Sequence, residues 1–202
     1  MVGKHHLAHT QFEQSFAFTD ENLKKAQAII ARYPAGRQQS ALMPLLTLAQ
    51  KQNANWLSKV AMDYVADMLS MPPVRVYEVA SFYTMYNLEP VGRHTIELCT
   101  TTPCWLRGSD GIVDACKSHL GIGLGQTTPD GQFTLREVEC LGACVNAPMC
   151  SIDDVYYEDL SPDSMTRIID TIARGNQPKP GPQSSRRSSE PVVGLTSLKE
   201  VK

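Results

Sequence analysis

Apolar residues recur at helical spacing through the first part of the chain. Leu23, Ala26, Ile29, Ile30 and Tyr33 form one stripe. It predicts a helix capped by Thr19 or Asp20 and ended by Pro34 and Gly36. Ser40 caps a second predicted helix running to about Gln52, with Pro44 in its first turn, where a missing N–H does least harm. Val60, Tyr64, Val65, Met68 and Leu69 mark a third, which stops before Met71-Pro72-Pro73. A fourth runs from about Val74 to Met85. Residues 19–88 therefore read as a helical domain, and residues 1–18, with little periodic signal, as an extended arm.

The pattern changes at Pro90-Val91-Gly92. His94-Thr-Ile-Glu-Leu-Cys99 alternates polar and apolar positions, as a half-buried strand does. Residues 109–120 predict a helix with Ile112, Val113, Cys116 and Leu120 near one face. Phe133 to Glu139 reads as a second strand, entered through the turn Pro129-Asp130-Gly131. Met149 to Tyr156 is a third extended stretch, with Asp153-Asp154 as a turn inside it. Ser161 caps a last helix, with Pro162 at its first position, running to about Ala173. Strand, helix, strand, strand, helix over residues 89–176 describes a small α/β unit. Residues 177–202 hold Pro178, Pro180, Pro182 and Pro191 among Ser and Arg. They read as a non-globular tail, expected to strap over a partner subunit.

Composition narrows the function. The 202 residues are 42% hydrophobic and 20% charged, enough to bury a core. The net charge of −2 gives no basic face for nucleic acid. No apolar run approaches the roughly 20 residues of a transmembrane helix, so membrane association is expected only through a partner. The N-terminus lacks the apolar core of a secretory signal and the Arg- and Ser-rich pattern of a transit peptide. That reads as a cytosolic chain, or one already processed.

All six cysteines fall between positions 99 and 150, and such clustering favours metal or redox chemistry over disulfides. Cys99 and Cys104 form Cys-x4-Cys; after 35 intervening residues Cys140 and Cys144 form Cys-x3-Cys. Each pair follows a predicted strand, so two loops can meet at one sheet edge and offer four thiolates. A [2Fe–2S] diamond needs two thiolates per iron. With its ligands it carries a net charge of about −2, which calls for N–H donors around the sulfurs. Gly108, Gly142 and Ala143 are small enough to let backbone N–H groups approach. A zinc site with four thiolates is the main rival, although such sites often use Cys-x2-Cys; disulfides and plain buried thiols also remain. The spacing is not the plant-type ferredoxin run. Cys116, on an apolar helix face, and Cys150, at a strand start, read as core residues.

The flanks of these cysteines carry a likeness. Cys99-Thr-Thr-Thr-Pro-Cys104-Trp-Leu-Arg-Gly108 and Cys140-Leu-Gly-Ala-Cys144-Val-Asn-Ala-Pro148 resemble the 24 kDa subunits of respiratory NADH:ubiquinone oxidoreductase, complex I. So do Met71 through Asn87, Tyr156-Tyr-Glu-Asp-Leu160, Lys179-Pro-Gly-Pro182 and Gly194-Leu-Thr-Ser-Leu198. The resemblance implies an α+β protein: an N-terminal helical bundle, then a thioredoxin-like α/β domain carrying one [2Fe–2S] cluster. The implied ligands are Cys99, Cys104, Cys140 and Cys144. It also implies a flavoprotein partner that holds FMN and the NADH site, and a neighbouring iron–sulfur subunit. In that family the cluster lies on the far side of the flavin from the main electron wire. The chain is then a subunit of a proton-translocating oxidoreductase with no catalytic residue of its own. Its expected place is the cytoplasmic face of a bacterial membrane or the matrix face of a mitochondrial one. A diaphorase subunit of an NAD-linked hydrogenase or formate dehydrogenase is the alternative host. A zinc-stabilised interaction module is the alternative of another class.

Other features are weaker. Gly121-Ile-Gly-Leu-Gly125 looks like part of a dinucleotide fingerprint but follows a helix instead of a strand, so a helix-ending turn is the better reading. His5, His6 and His9 read as solvated, and so does Arg186-Arg187. Cys99 and Cys104 are spaced too widely for the Cys-x-x-Cys of thiol oxidoreductases.

Overall fold

The computed structural model describes residues 15–191, 193–194 and 196–197; His5, His6 and His9 lie outside them. The chain divides into two compact units between Pro90 and Val91.

The first unit is helical. Thr19 caps α1 (Asp20–Ile30), its side chain accepting from the Asn22 N–H. A 3-10 turn (Gln38–Ala41) leads into α2 (Leu42–Gln52). Ser40, expected to cap α2, lies inside that turn, which shifts the helix start past it. Ser58 caps α3 (Lys59–Met68), and Pro73 opens α4 (Pro73–Phe82). Leu45, Leu46, Leu57, Val65 and Val76 form the centre of the unit's core. Phe16 and Phe18, expected in an extended arm, pack edge-on against Tyr64.

The second unit is built on β1 (His94–Cys99). After β1 come α5 (Thr102–Leu106), α6 (Ser109–Leu120), β2 (Gln126–Thr127), β3 (Phe133–Val138), β4 (Cys150–Ile152), β5 (Val155–Glu158), α7 (Pro162–Ala173) and β6 (Gly181–Pro182). The sheet order is β2-β3-β1-β4-β5-β6. β1 lies parallel to β3, with His94 opposite Phe133 and Cys99 opposite Val138. β4 pairs antiparallel to β1 on its other side. The β4–β5 hairpin turns on Asp153 and Asp154, at φ of 52° and 67°, the pair of positive values a tight type I′ turn needs.

Ile96, Leu135 and Ile152 point from the sheet into a core shared with Ile112 and Cys116 of α6 and with Met165, Ile168 and Ile169 of α7. Burying each such aliphatic side chain contributes about 1.5–3 kcal/mol. Cys116 and Cys150 both sit in this core, and Cys150 Sγ touches Met165 Sδ at 3.8 Å. Gly121 ends α6 at φ 66°, so the glycine-rich segment is a helix-ending turn.

The tail departs from the expectation of a coreless segment. Gly181–Pro182 extend the sheet beside β5, and the Gln183 N–H donates to the Glu158 carbonyl at 2.8 Å. Arg186, expected to be solvated, forms a buried ion pair with Asp159; the two side chains are 9% and 7% exposed.

Candidate metal centre

The parallel pairing of β1 with β3 brings Cys99 to the same sheet edge as the loop after Val138. Two turns then present the other thiols. Thr101 precedes the short helix α5, which carries Cys104. Gly142, at φ 86°, turns the second loop so that Cys144 opens a 3-10 turn, Cys144–Asn146.

The four thiols stand as two neighbouring pairs. Cys140 Sγ and Cys144 Sγ are 3.3 Å apart, and Cys99 and Cys104 lie close enough to shift each other's proton affinity. Cys99 and Cys104 are buried with Ala147 and Met149, whereas Cys140 and Cys144 are exposed. The pairs also influence each other: the Leu141 backbone, next to Cys140, lowers the proton affinity of Cys99, and Cys99 raises that of Cys144. Among the described residues, no three His, Cys, Asp or Glu side chains close around one point as a single-ion cage would.

Hydrogen-bond donors face the sulfurs. The Gly142 N–H lies 3.4 Å from Cys140 Sγ, and Thr101 Oγ1 lies 3.3 Å from Cys99 Sγ. The Met149 backbone lowers the proton affinity of Cys104. Each pair therefore holds one thiol of lowered and one of raised proton affinity. Burial pushes Cys99 up, but the Thr101, Cys104 and Leu141 donors outweigh it and hold the thiol below its ordinary value. Burial, with Cys99 beside it, pushes Cys104 up to about 12. The Gly142 N–H draws Cys140 down, and Cys140 in turn pushes Cys144 up. Metal binding requires the thiolate form of all four, so iron would displace the protons of the raised thiols Cys104 and Cys144.

The chemistry of this donor set fits a dinuclear iron–sulfur cluster: two pairs of thiols, one pair per iron, with N–H groups aimed at sulfur. The structure brings all four sequence-picked cysteines to one edge and leaves Cys116 and Cys150 in the core. Of the small residues expected to admit N–H donors, Gly142 does so. Gly108 instead caps α6 at φ 90°.

Several supporting residues carried no sequence signal of their role. The Tyr156 hydroxyl donates to the Leu141 carbonyl at 2.8 Å, which fixes the second loop from β5. Thr100 Oγ1 donates to Glu137 at 2.5 Å across the β1–β3 pair.

Comparison with known proteins agrees with this geometry. The family described as thioredoxin-like [2Fe-2S] ferredoxin matches residues 26–173. The mitochondrial NADH dehydrogenase [ubiquinone] flavoprotein 2 of Dictyostelium discoideum is 53% identical over 192 residues, covering 95% of this chain and 76% of that one. A subunit of the NADH-quinone oxidoreductase of Rickettsia conorii is 56% identical over 158 residues, covering 78% of this chain and 95% of that one. Among solved structures, an NAD+-reducing [NiFe]-hydrogenase superposes with a TM-score of 0.56 at 21% identity. The match covers 64% of this chain and 22% of the hydrogenase chain, and it speaks to the fold alone.

Proposed function

Because the chain belongs to the thioredoxin-like [2Fe–2S] ferredoxin family, we propose that it is an electron-transfer subunit of a respiratory NADH–quinone oxidoreductase, with Cys99, Cys104, Cys140 and Cys144 as the ligands of one cluster. When bound, the cluster supplies one-electron transfer. The observation that carries the reading is the meeting of two cysteine pairs at one sheet edge, each with N–H donors on its sulfurs. The relatives at 53% and 56% identity favour this host over a hydrogenase.

The chain's own residues divide the work. Cys99 and Cys104 close the site from the core side, with Ala147 and Met149 keeping water away. Cys140 and Cys144 face outward, the side from which a redox partner approaches. Trp105, Leu106 and Val145, on the segments that carry Cys104 and Cys144, are 56%, 70% and 64% exposed, an apolar rim suited to a partner surface. The partner is a flavoprotein subunit holding FMN and the NADH site, with an iron–sulfur subunit alongside. Hydride chemistry takes place there; no acid or base on this chain is assigned to it. Among the described residues no helix is long and apolar enough to cross a membrane. Attachment to the cytoplasmic or matrix face then comes through the partners.

The test is anaerobic purification of the full chain, then recovery of its complex from a native extract. About two irons and two sulfides per chain, with an FMN-containing subunit co-purifying, supports the proposal. A colourless chain holding one zinc overturns it.

A further inference from the structure

The turn that carries Cys144 is held from outside by the tail. Its backbone is closed by the Asn146 N–H on the Ala143 carbonyl at 3.0 Å and the Ala147 N–H on the Cys144 carbonyl at 3.3 Å. Arg186 Nη1 donates to the Val145 carbonyl at 3.2 Å and to Asn146 Oδ1 at 3.0 Å. The peptide plane between Val145 and Asn146 is thus fixed at both ends, one residue past Cys144. Arg186 is fixed in turn. Its Nη2 donates to Asp159 Oδ1 at 2.8 Å, and its Nε lies 2.8 Å from Oδ2 without the alignment of a hydrogen bond. The Asp159 N–H donates to the Asn146 carbonyl at 2.7 Å. Asn146 Nδ2 donates to the Glu158 carboxylate and to the Ser188 carbonyl. Ser184 Oγ donates to Asp159 Oδ2 at 2.8 Å.

We infer that Arg186 is a positioning residue for the cluster, setting the orientation of Cys144 by clamping the 145–146 peptide to Asp159. A buried ion pair gives little net stability over apolar packing, because both charges lose their water. What this pair supplies is geometry. A guanidinium with several N–H groups reaches two acceptors on the turn and the Asp159 carboxylate just past β5 at once, which the single ammonium of a lysine does less well. Ligand orientation and the groups around it tune a metal centre. The pair is also neutral as a unit, so its influence on the site comes through placement more than through net charge. The inference rests on Cys144 being a ligand.

The full chain is compared as wild type, Arg186→Lys, Arg186→Ala and Arg186→Ala/Asp159→Ala, with Arg187→Ala, at an exposed neighbour, as the control. Two readouts are taken. In the cluster-free chain, hydrogen exchange of the Asn146 and Ala147 amides is expected to speed up at least about tenfold in all three Arg186 variants, the loss of one charge-assisted hydrogen bond. In the loaded chain, the g-values of the reduced EPR spectrum are expected to move in the same three variants and not in Arg187→Ala. The double variant separates placement from charge. If its g-values and exchange return to those of wild type, the effect is Coulombic and the inference falls. Wild-type g-values and exchange in Arg186→Ala also overturn it. If Arg186→Ala does not fold, Arg186→Lys is read by the same criteria. A wild-type chain that takes up no cluster defeats the ligand assignment instead, while the exchange arm still reports on the clamp.

Discussion

Gly92→Ala sets the parallel β1–β3 pairing against the smallest possible side chain. Gly92 is buried just ahead of β1, where the backbone passes close to the start of β3. A methyl group built there lies 2.8 Å from the Phe133 carbonyl carbon and 3.0 Å from the Phe133 and Thr134 nitrogens. All three are backbone atoms, so no side chain can rotate out of the way. The Gly92 N–H is also held 2.6 Å from Thr134 Oγ1, which resists retreat. Ordinary carbon contacts begin near 3.5 Å, so the strands must part by several tenths of an ångström. Overpacking of this kind costs about 1–3 kcal/mol. For a unit of this size that corresponds to a drop of roughly 4–12 °C in melting temperature. Gly111→Ala is the internal control. It lies inside α6, and the nearest atom to its added methyl is Pro162 Cγ at 3.8 Å. There the lost backbone freedom of the unfolded chain dominates, and stability rises by about 0.5–1 kcal/mol. Melts of the full-length variants, followed by circular dichroism, read both effects. A Gly92→Ala melt at or above wild type, or equal losses at both positions, refutes the close-approach argument.

Three further outcomes are expected. Leu135→Ala, at a fully buried position on β3 facing the core shared with α6 and α7, should cost about 2–5 kcal/mol in urea unfolding; a cost below about 1 kcal/mol contradicts the packing described. Burial raises Tyr86 and Tyr157 and pushes Cys116 up to about 12, so these groups stabilise the fold fully below their unfolded values of about 10 and 8.5. Stability should therefore fall as pH rises above about 8.5, and Cys116→Ala should flatten the first part of that decline; an unchanged pH slope speaks against it. Iodoacetamide applied to the folded, cluster-free chain at pH 8 should modify Cys140 and Cys144 first and leave Cys116 and Cys150 intact until denaturant is added, as peptide mass mapping will show.

Legibility in the sequence followed how local each signal was. The strand at His94–Cys99 and the helix at Ser109–Leu120 are readable to the residue, because alternation marks the first and the apolar face Ile112, Val113, Cys116 and Leu120, ended by Gly121, marks the second. Ser161 and Pro162 likewise announced α7, whose capping box is present. The five-residue α5 and the two-residue β2 are too short to show a period. β6 exists only because a distant strand edge accepts it. At the site, the four cysteines were legible from spacing and flanks. The donors that condition them were not: Leu141 and Met149 act through backbone N–H groups, which any residue possesses. Arg186 looked solvated because its partner Asp159 is far from it in sequence, in another turn.

In the proposed function Cys99, Cys104, Cys140 and Cys144 hold one [2Fe–2S] cluster, while Cys116 and Cys150 belong to the core. Low-temperature EPR of the dithionite-reduced full chain, run beside iron and sulfide analysis, tests it on Cys144→Ala and Cys116→Ser in parallel. The signal and the bound sulfide should be lost in Cys144→Ala and retained in Cys116→Ser. A signal that survives in Cys144→Ala and disappears in Cys116→Ser contradicts it.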